Sequence, residues 1–151
     1  MRRVAVGSDM AHDTVRAVVE HLESREIDVV RCGAAQQREA PWPEVAHRVA
    51  RLVATRAVDS AVVCCWTGTG VSIAANKVPG VRAALCADAE TARGARRWND
   101  ANVLALSLST IAPDAARDIL DAWLDVEQPD ADELANIALI TQLEHRYGMH
   151  G

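Results

Sequence analysis

Cys64-Cys65-Trp66-Thr67-Gly68-Thr69-Gly70-Val71-Ser72-Ile73-Ala74-Ala75-Asn76-Lys77 is the stretch on which the fold turns. The apolar run Ala61-Val62-Val63 enters it as a strand and carries a thiol to the sheet edge. Two glycines follow in a tight turn, and the small residues after them begin a short helix. A corner of this kind aims backbone N–H groups and a helix N-terminus at one point, where a negative oxygen can sit. A thiol beside that dipole has a lowered pKa and becomes usable as a base or nucleophile. Taken alone, Gly68-Thr69-Gly70 reads as an ordinary strand–turn–helix corner whose glycines serve only the turn. It is not a dinucleotide fingerprint, because Ile73 stands where the third glycine belongs.

Working outward, strand-like and helical stretches alternate. Val4-Ala5-Val6-Gly7 reads as a strand, and about 13–25 as a helix with Val15, Val18, Val19 and Leu22 at helical spacing. A second strand is expected over 27–32. A polar loop then ends in Ala40-Pro41-Trp42-Pro43, where the prolines mark a helix start. That helix carries Val45, Val49, Leu52 and Val53 on one stripe. Strands at 60–65, 82–86 and 103–107 alternate with helices near 70–77, 89–98 and 112–125. Alternation with near-continuously apolar strands predicts a five-stranded parallel sheet in a Rossmann-like three-layer α/β/α sandwich. Ligands of such sheets bind beyond the carboxyl ends of the strands, where Ser8–His12, Trp66–Gly70 and the segment around Asp88 collect.

The 151 residues make one domain with enough chain for a core. Half of them are hydrophobic but only 3% are aromatic, and phenylalanine is absent, so Ala, Val, Leu and Ile must fill that core. A net charge of −5 without a basic cluster argues against nucleic acid as partner. No apolar run reaches the roughly 18 residues of a membrane span, and no apolar stretch follows Arg2-Arg3 as in a signal peptide, so neither a membrane nor export is expected and the protein reads as cytoplasmic. Cys32, Cys64, Cys65 and Cys86 lack the spacing of a metal site. Adjacent on one strand, Cys64 and Cys65 point to opposite faces: one packs and the other is free for chemistry. Cys32 and Cys86 read as small buried hydrophobes. A last helix over about 131–147 places Leu134, Ile137, Ala138, Leu139, Ile140 and Leu143 around most of its circumference. Such a helix needs a cover, either a partner subunit or a wide groove on its own chain.

Gly7-Ser8-Asp9, the Cys65–Lys77 run, the Val78–Cys86 segment and Asn99-Asp100-Ala101-Asn102-Val103-Leu104-Ala105-Leu106 occur in that order. Together they resemble the ribose-5-phosphate isomerase B family, which includes the galactose-6-phosphate isomerase subunits, over about Arg3 to Glu127. The resemblance implies a homodimer, no cofactor, a small sugar or sugar phosphate as substrate, and aldose–ketose isomerisation through a cis-enediolate. Residue by residue, it gives Cys65 as the base between C2 and C1, and Thr67 as the hydroxyl that relays a proton between O1 and O2. Backbone N–H groups from Gly68 through Thr69 and Gly70 to Ser72 would hold the enediolate oxygens. Asp9 and Asn99 match residues that bond sugar hydroxyls, although Asp9 reads equally well as a cap on the first helix.

The chain departs from the family pattern in three places. Met10 stands where the first loop usually has histidine, with His12 two residues on as a plain helix-start residue. Trp98 replaces the histidine that opens a furanose ring, and an indole N–H only donates. Ser109 and the tail Asp132-Glu133-Leu134-Ala135-Asn136 stand where phosphate-binding arginines are usual, and two acids there would repel a dianion. Arg93, Arg96 and Arg97 read either as replacements or as a solvated helix face. Besides a sugar-phosphate isomerase, two alternatives therefore stand. One is an isomerase or epimerase of a non-phosphorylated hydroxy-carbonyl compound, with Met10 and Trp98 lining its site; the other is a non-catalytic ligand-binding homologue.

Overall fold

Every position of the strand Ser60–Cys65 is buried, as befits a strand covered on both faces. In the computed structural model, which describes residues 2–148, it is the middle strand of the sheet. The elements follow as β1 (Arg3–Ser8), α1 (Asp13–Ser24), β2 (Asp28–Gly33), α2 (Trp42–Ala54), β3 (Ser60–Cys65), α3 (Thr69–Ala75), β4 (Ala83–Leu85), α4 (Ala89–Asn99), β5 (Val103–Ser107), α5 (Pro113–Asp125) and α6 (Leu134–Arg146). The strands lie in the order β2-β1-β3-β5-β4, and every pair is parallel.

Side-chain alternation divides the interior into two cores. Val4, Val6, Val62, Cys64, Leu104 and Leu106 face α1, α4 and α5. Ala5, Val63, Cys65, Val103 and Ala105 face α2 and α3. The first core holds the one buried aromatic among the described residues, Trp123, 2% exposed, whose indole donates to Ser60 Oγ at 3.4 Å. The two adjacent thiols thus do point to opposite faces, and Cys32 and Cys86 are buried as expected.

Chain order departs from spatial order at β1. From there the chain moves outward to β2, returns, and continues on the other side through β3. The loops after β1 and β3 therefore leave toward opposite layers and open a crevice between them, the topological switch point where such sheets bind ligands. Thr14, buried at the start of α1, donates its hydroxyl to the Ile111 carbonyl at 2.7 Å and ties the loop after β1 to that after β5. Thr14→Val leaves that carbonyl unpaired, with an expected loss of about 1–2 kcal/mol in urea unfolding.

Several boundaries differ from those expected. Ile27 belongs to the close of α1, its amide bonded to the Leu22 carbonyl at 3.1 Å beyond the left-handed Glu26, so β2 begins one residue later. α3 stops at Ala75 because Asn76 turns to the sheet and exchanges two hydrogen bonds with Ala83. The terminal segment is a short 3-10 turn over Ala131–Glu133 followed by α6. None of α6 is buried: Leu134, Leu139, Ile140, Leu143 and Tyr147 are 36–74% exposed. The chain's own groove does not cover this helix. Among the described residues, no helix is long and apolar enough to cross a membrane.

Candidate active site

β1 and β3 are neighbours, with Ser8 opposite Cys64, so the residues just past them, Asp9 and Cys65, stand side by side at the switch point. Cys65 ends β3 and shares the second core with Val63, Val71 and Ala75; it retains 5% exposure, whereas Cys64 has none. Burial, chiefly, pushes the Cys64 thiol up to about 12. That leaves it protonated and inert near neutrality.

The turn after Cys65 is set by Gly68, which adopts φ +75 and begins α3 with no side-chain cap. The first amides of a helix have no partner inside it, so those of Thr69, Gly70 and Val71 remain available to a ligand. The Ser72 amide is bonded to the Gly68 carbonyl at 3.3 Å, which removes it from the set of donors expected from the sequence. Thr67 and Thr69 share a hydroxyl–hydroxyl bond of 2.7 Å. On the neighbouring strand, Ser107 lies opposite Cys65, and its hydroxyl meets both the Trp66 carbonyl at 3.0 Å and the Ser109 hydroxyl at 2.9 Å.

Ser8 shapes the loop on the other side of the crevice, its hydroxyl donating to the Met10 carbonyl at 2.7 Å. Met10 packs partly against the first core. His12 caps α1, with Nδ1 accepting from the Thr14 amide at 3.0 Å, so capping falls to His12 and not to Asp9. Oδ1 of Asp9 is buried and has no hydrogen-bond partner among the described residues. Burial holds this carboxyl above the usual carboxylate range; its own backbone amide works against that, and Glu39 adds to it.

A folded-state pKa above the unfolded one costs stability as pH rises through the ordinary carboxylate range to the raised value, and the loss persists above it. Asp9→Asn removes it. Thermal melts of the two proteins should converge at acid pH and separate at neutral pH, where the Asp9→Asn protein should be the more stable.

Trp42 stands beside this candidate site, where sequence reasoning did not place it. Its ring lies against Gly70, where a Cβ would come 3.0 Å from Cε3, and it is 43% exposed. The prolines around it were read only as a helix start, and no local pattern ties it to a turn 28 residues later. Trp66 presents a second exposed ring, 55% accessible.

Trp98 and Asn99 are not brought to this crevice. They end α4, and a helix between parallel strands ends where the next strand begins, at the opposite edge of the sheet from Cys65. Trp98 lies over its own helix at Gly94 with the Arg97 guanidinium 6.0 Å from its ring. Asn99 faces α6 across a cavity of about 600 Å³ lined by Ala83, Ala84, Ile140, Leu143 and Tyr147. Arg96 bonds the Ala101 and Val126 carbonyls, and Arg97 pairs with Asp130 at 3.0 Å, so both are spent on structure. Arg93 is exposed.

Residues 4–140 match the ribose/galactose isomerase family. The chain is 34% identical over 147 residues to ribose-5-phosphate isomerase B of Escherichia coli K12, covering 97% of this chain and 99% of the relative. It is 33% identical over 148 residues to D-erythrulose-4-phosphate isomerase of Pectobacterium atrosepticum, covering 97% of each. The structure of ribose-5-phosphate isomerase B from Clostridium thermocellum superposes with a TM-score of 0.89 at 35% identity, over 96% of this chain and 99% of that one.

Proposed function

Because this chain belongs to the ribose/galactose isomerase family and is an aldose–ketose isomerase of the ribose-5-phosphate isomerase B type, we propose that Cys65 is the base that moves a proton between C1 and C2 of a short sugar or sugar phosphate. The Cys65 thiolate takes the C2 proton of the aldose. The electron pair of that C–H bond becomes the C1–C2 double bond, and O1 gains the charge of a cis-enediolate. Thr67 relays a proton between O1 and O2, and Cys65 returns its proton to C1 to leave the ketose. Two protons change place within the substrate, one from C2 to C1 and one from O2 to O1, and the electrons stay within it, so no redox co-reactant is consumed.

The observation that carries this reading is the register of Ser8 opposite Cys64, which brings Asp9 and Cys65 to the same strand ends, beside a helix start with no side-chain cap. Free amide donors at a helix start favour negative charge placed beside them. The same donors would stabilise the enediolate oxygens, an arrangement whose single members are commonly worth about 100-fold in rate. Asp9, with an unpaired oxygen, is a receptor for a sugar hydroxyl.

Trp98 and Asn99 sit at the opposite edge of their own sheet, so they would join this site only from a second copy. The uncovered apolar faces of α6 support a homodimer. We take the protein to be cytoplasmic: its four cysteines are free thiols, the state a reducing compartment keeps.

Incubation in heavy water with erythrulose, ribulose and their terminal phosphates tests the reaction. Deuterium at C1 is expected with at least one of them, even without net conversion. Sedimentation of the intact protein tests the homodimer, with twice the chain mass of 16.3 kDa as the expected outcome.

A further inference from the structure

We propose that Ser107 is a positioning residue of this site: its hydroxyl turns the Trp66–Thr67 peptide so that the Thr67 amide faces the crevice as a donor to the enediolate. The inference rests on the isomerase reading above and adds to it a side chain that acts through the main chain. β3 lies between β1 and β5. Just past the end of β3, the Trp66 carbonyl accepts on the β5 side, from Ser107 Oγ at 3.0 Å and from the Ser109 amide at 2.9 Å. A carbonyl oxygen has two lone pairs, so two donors fix the plane of the peptide where one would leave it free to rock. The peptide is trans, and its N–H points opposite to its carbonyl. The Thr67 amide is therefore aimed away from β5, toward the loop after β1 and the crevice. It has no hydrogen-bond partner among the described residues.

The turn has little room to choose another orientation. The Leu108 amide donates to the Cys65 carbonyl at 3.0 Å, and a Cβ on Gly68 would stand 2.9 Å from the Ser107 amide nitrogen, so both ends of the turn are pinned to the exit of β5. Because the Ser107 proton is spent on Trp66, the 2.9 Å contact between the Ser107 and Ser109 hydroxyls has Ser109 as donor and Ser107 as acceptor. Hydrogen bonds in a chain polarise one another. The series from Ser109 through Ser107 to the Trp66 carbonyl thus leaves the Thr67 N–H more positive, where negative charge develops on the substrate. All of these residues belong to one protomer, and none of the contacts depends on the sugar's distal end.

Deuterium exchange at C1, followed with ribulose 5-phosphate and erythrulose 4-phosphate, tests the role. We expect Ser107→Ala to lower kcat about tenfold with KM changed less than about twofold, since the lost stabilisation belongs to the transition state. Ser107→Thr keeps the hydroxyl and should restore kcat to within about twofold of the unsubstituted protein. Ser109→Ala removes only the outer hydroxyl and should lower kcat about two- to threefold. Melting temperatures within about 4 °C of the unsubstituted protein separate this effect from a general loosening. An unchanged kcat in folded Ser107→Ala, a fall that threonine does not restore, or a rise in KM in place of the fall in kcat overturns this inference and leaves the isomerase reading intact. If Ser107→Ala does not fold, Ser109→Ala decides alone, and an unchanged kcat there overturns the inference. Exchange by the unsubstituted, folded protein with neither probe nor with free ribulose or erythrulose overturns the isomerase reading and this inference together.

Discussion

Cys65→Ala is expected to lower deuterium exchange at C1 by about 10²–10⁴-fold, the range that a positioned general base supplies. Cys65 is the one thiol at the switch point, and no neighbouring side chain replaces it. Thr67 and Thr69 carry hydroxyls that do not ionise near neutrality, and Asp9 has its own place across the crevice. The substituted protein should remain folded, because a small side chain at the end of β3 leaves the β-ladder intact. Far-UV circular dichroism and an unchanged sedimentation profile would establish that. Cys64→Ala is the internal comparison: its thiol faces the other core and burial pushes it up to about 12, so its loss should cost packing and spare exchange. Wild-type exchange in the Cys65→Ala protein would remove the base from the mechanism.

Gly68→Ala should do more damage to the protein as a whole, with an expected loss of roughly 3–5 kcal/mol. At φ +75, an added Cβ would stand 2.6 Å from Leu85 Cδ1, 2.9 Å from the Leu106 carbonyl carbon and 2.9 Å from the Ser107 amide nitrogen. Leu85 can swing aside, but the other two atoms belong to the backbone of β5 and cannot. The turn must therefore lift away from β5, carrying Thr67 and the free amides of α3 with it. A fall in melting temperature of about 2–4 °C per kcal/mol is expected for a chain of this size, together with loss of exchange in the fraction that remains folded. Gly70→Ala meets only the ring of Trp42, a side chain, and should be the milder substitution.

The strands and most helices were legible because their signals are local. β3 is apolar from Ala61 to its end, and α2 repeats its valines at helical spacing, so each could be read without knowing its neighbours. Adjacent residues on a strand must face opposite ways, which alone assigned Cys64 and Cys65 to different layers. The ends of elements were less legible, since they depend on distant partners: Asn76 ends α3 by bonding Ala83, and Glu26 delays β2 through its left-handed turn. Asp9 illustrates the same limit. Its sequence context fits a helix cap and a sugar ligand equally, and only the bond from the Thr14 amide to His12 removes the first of these.

From the order of its residues alone, this chain was bound to form a parallel layered sheet with a thiol and a glycine turn at one strand end, because strand polarity, side-chain alternation and turn chemistry are all properties of neighbouring residues. Which groups share that strand end is a matter of how the elements stack. Trp42 reached the Gly70 turn only through the packing of α2 on α3. Trp98 and Asn99 were carried to the far edge because a helix between parallel strands must run back. Proximity across layers is not encoded in spacing along the chain, and it is proximity that makes a site.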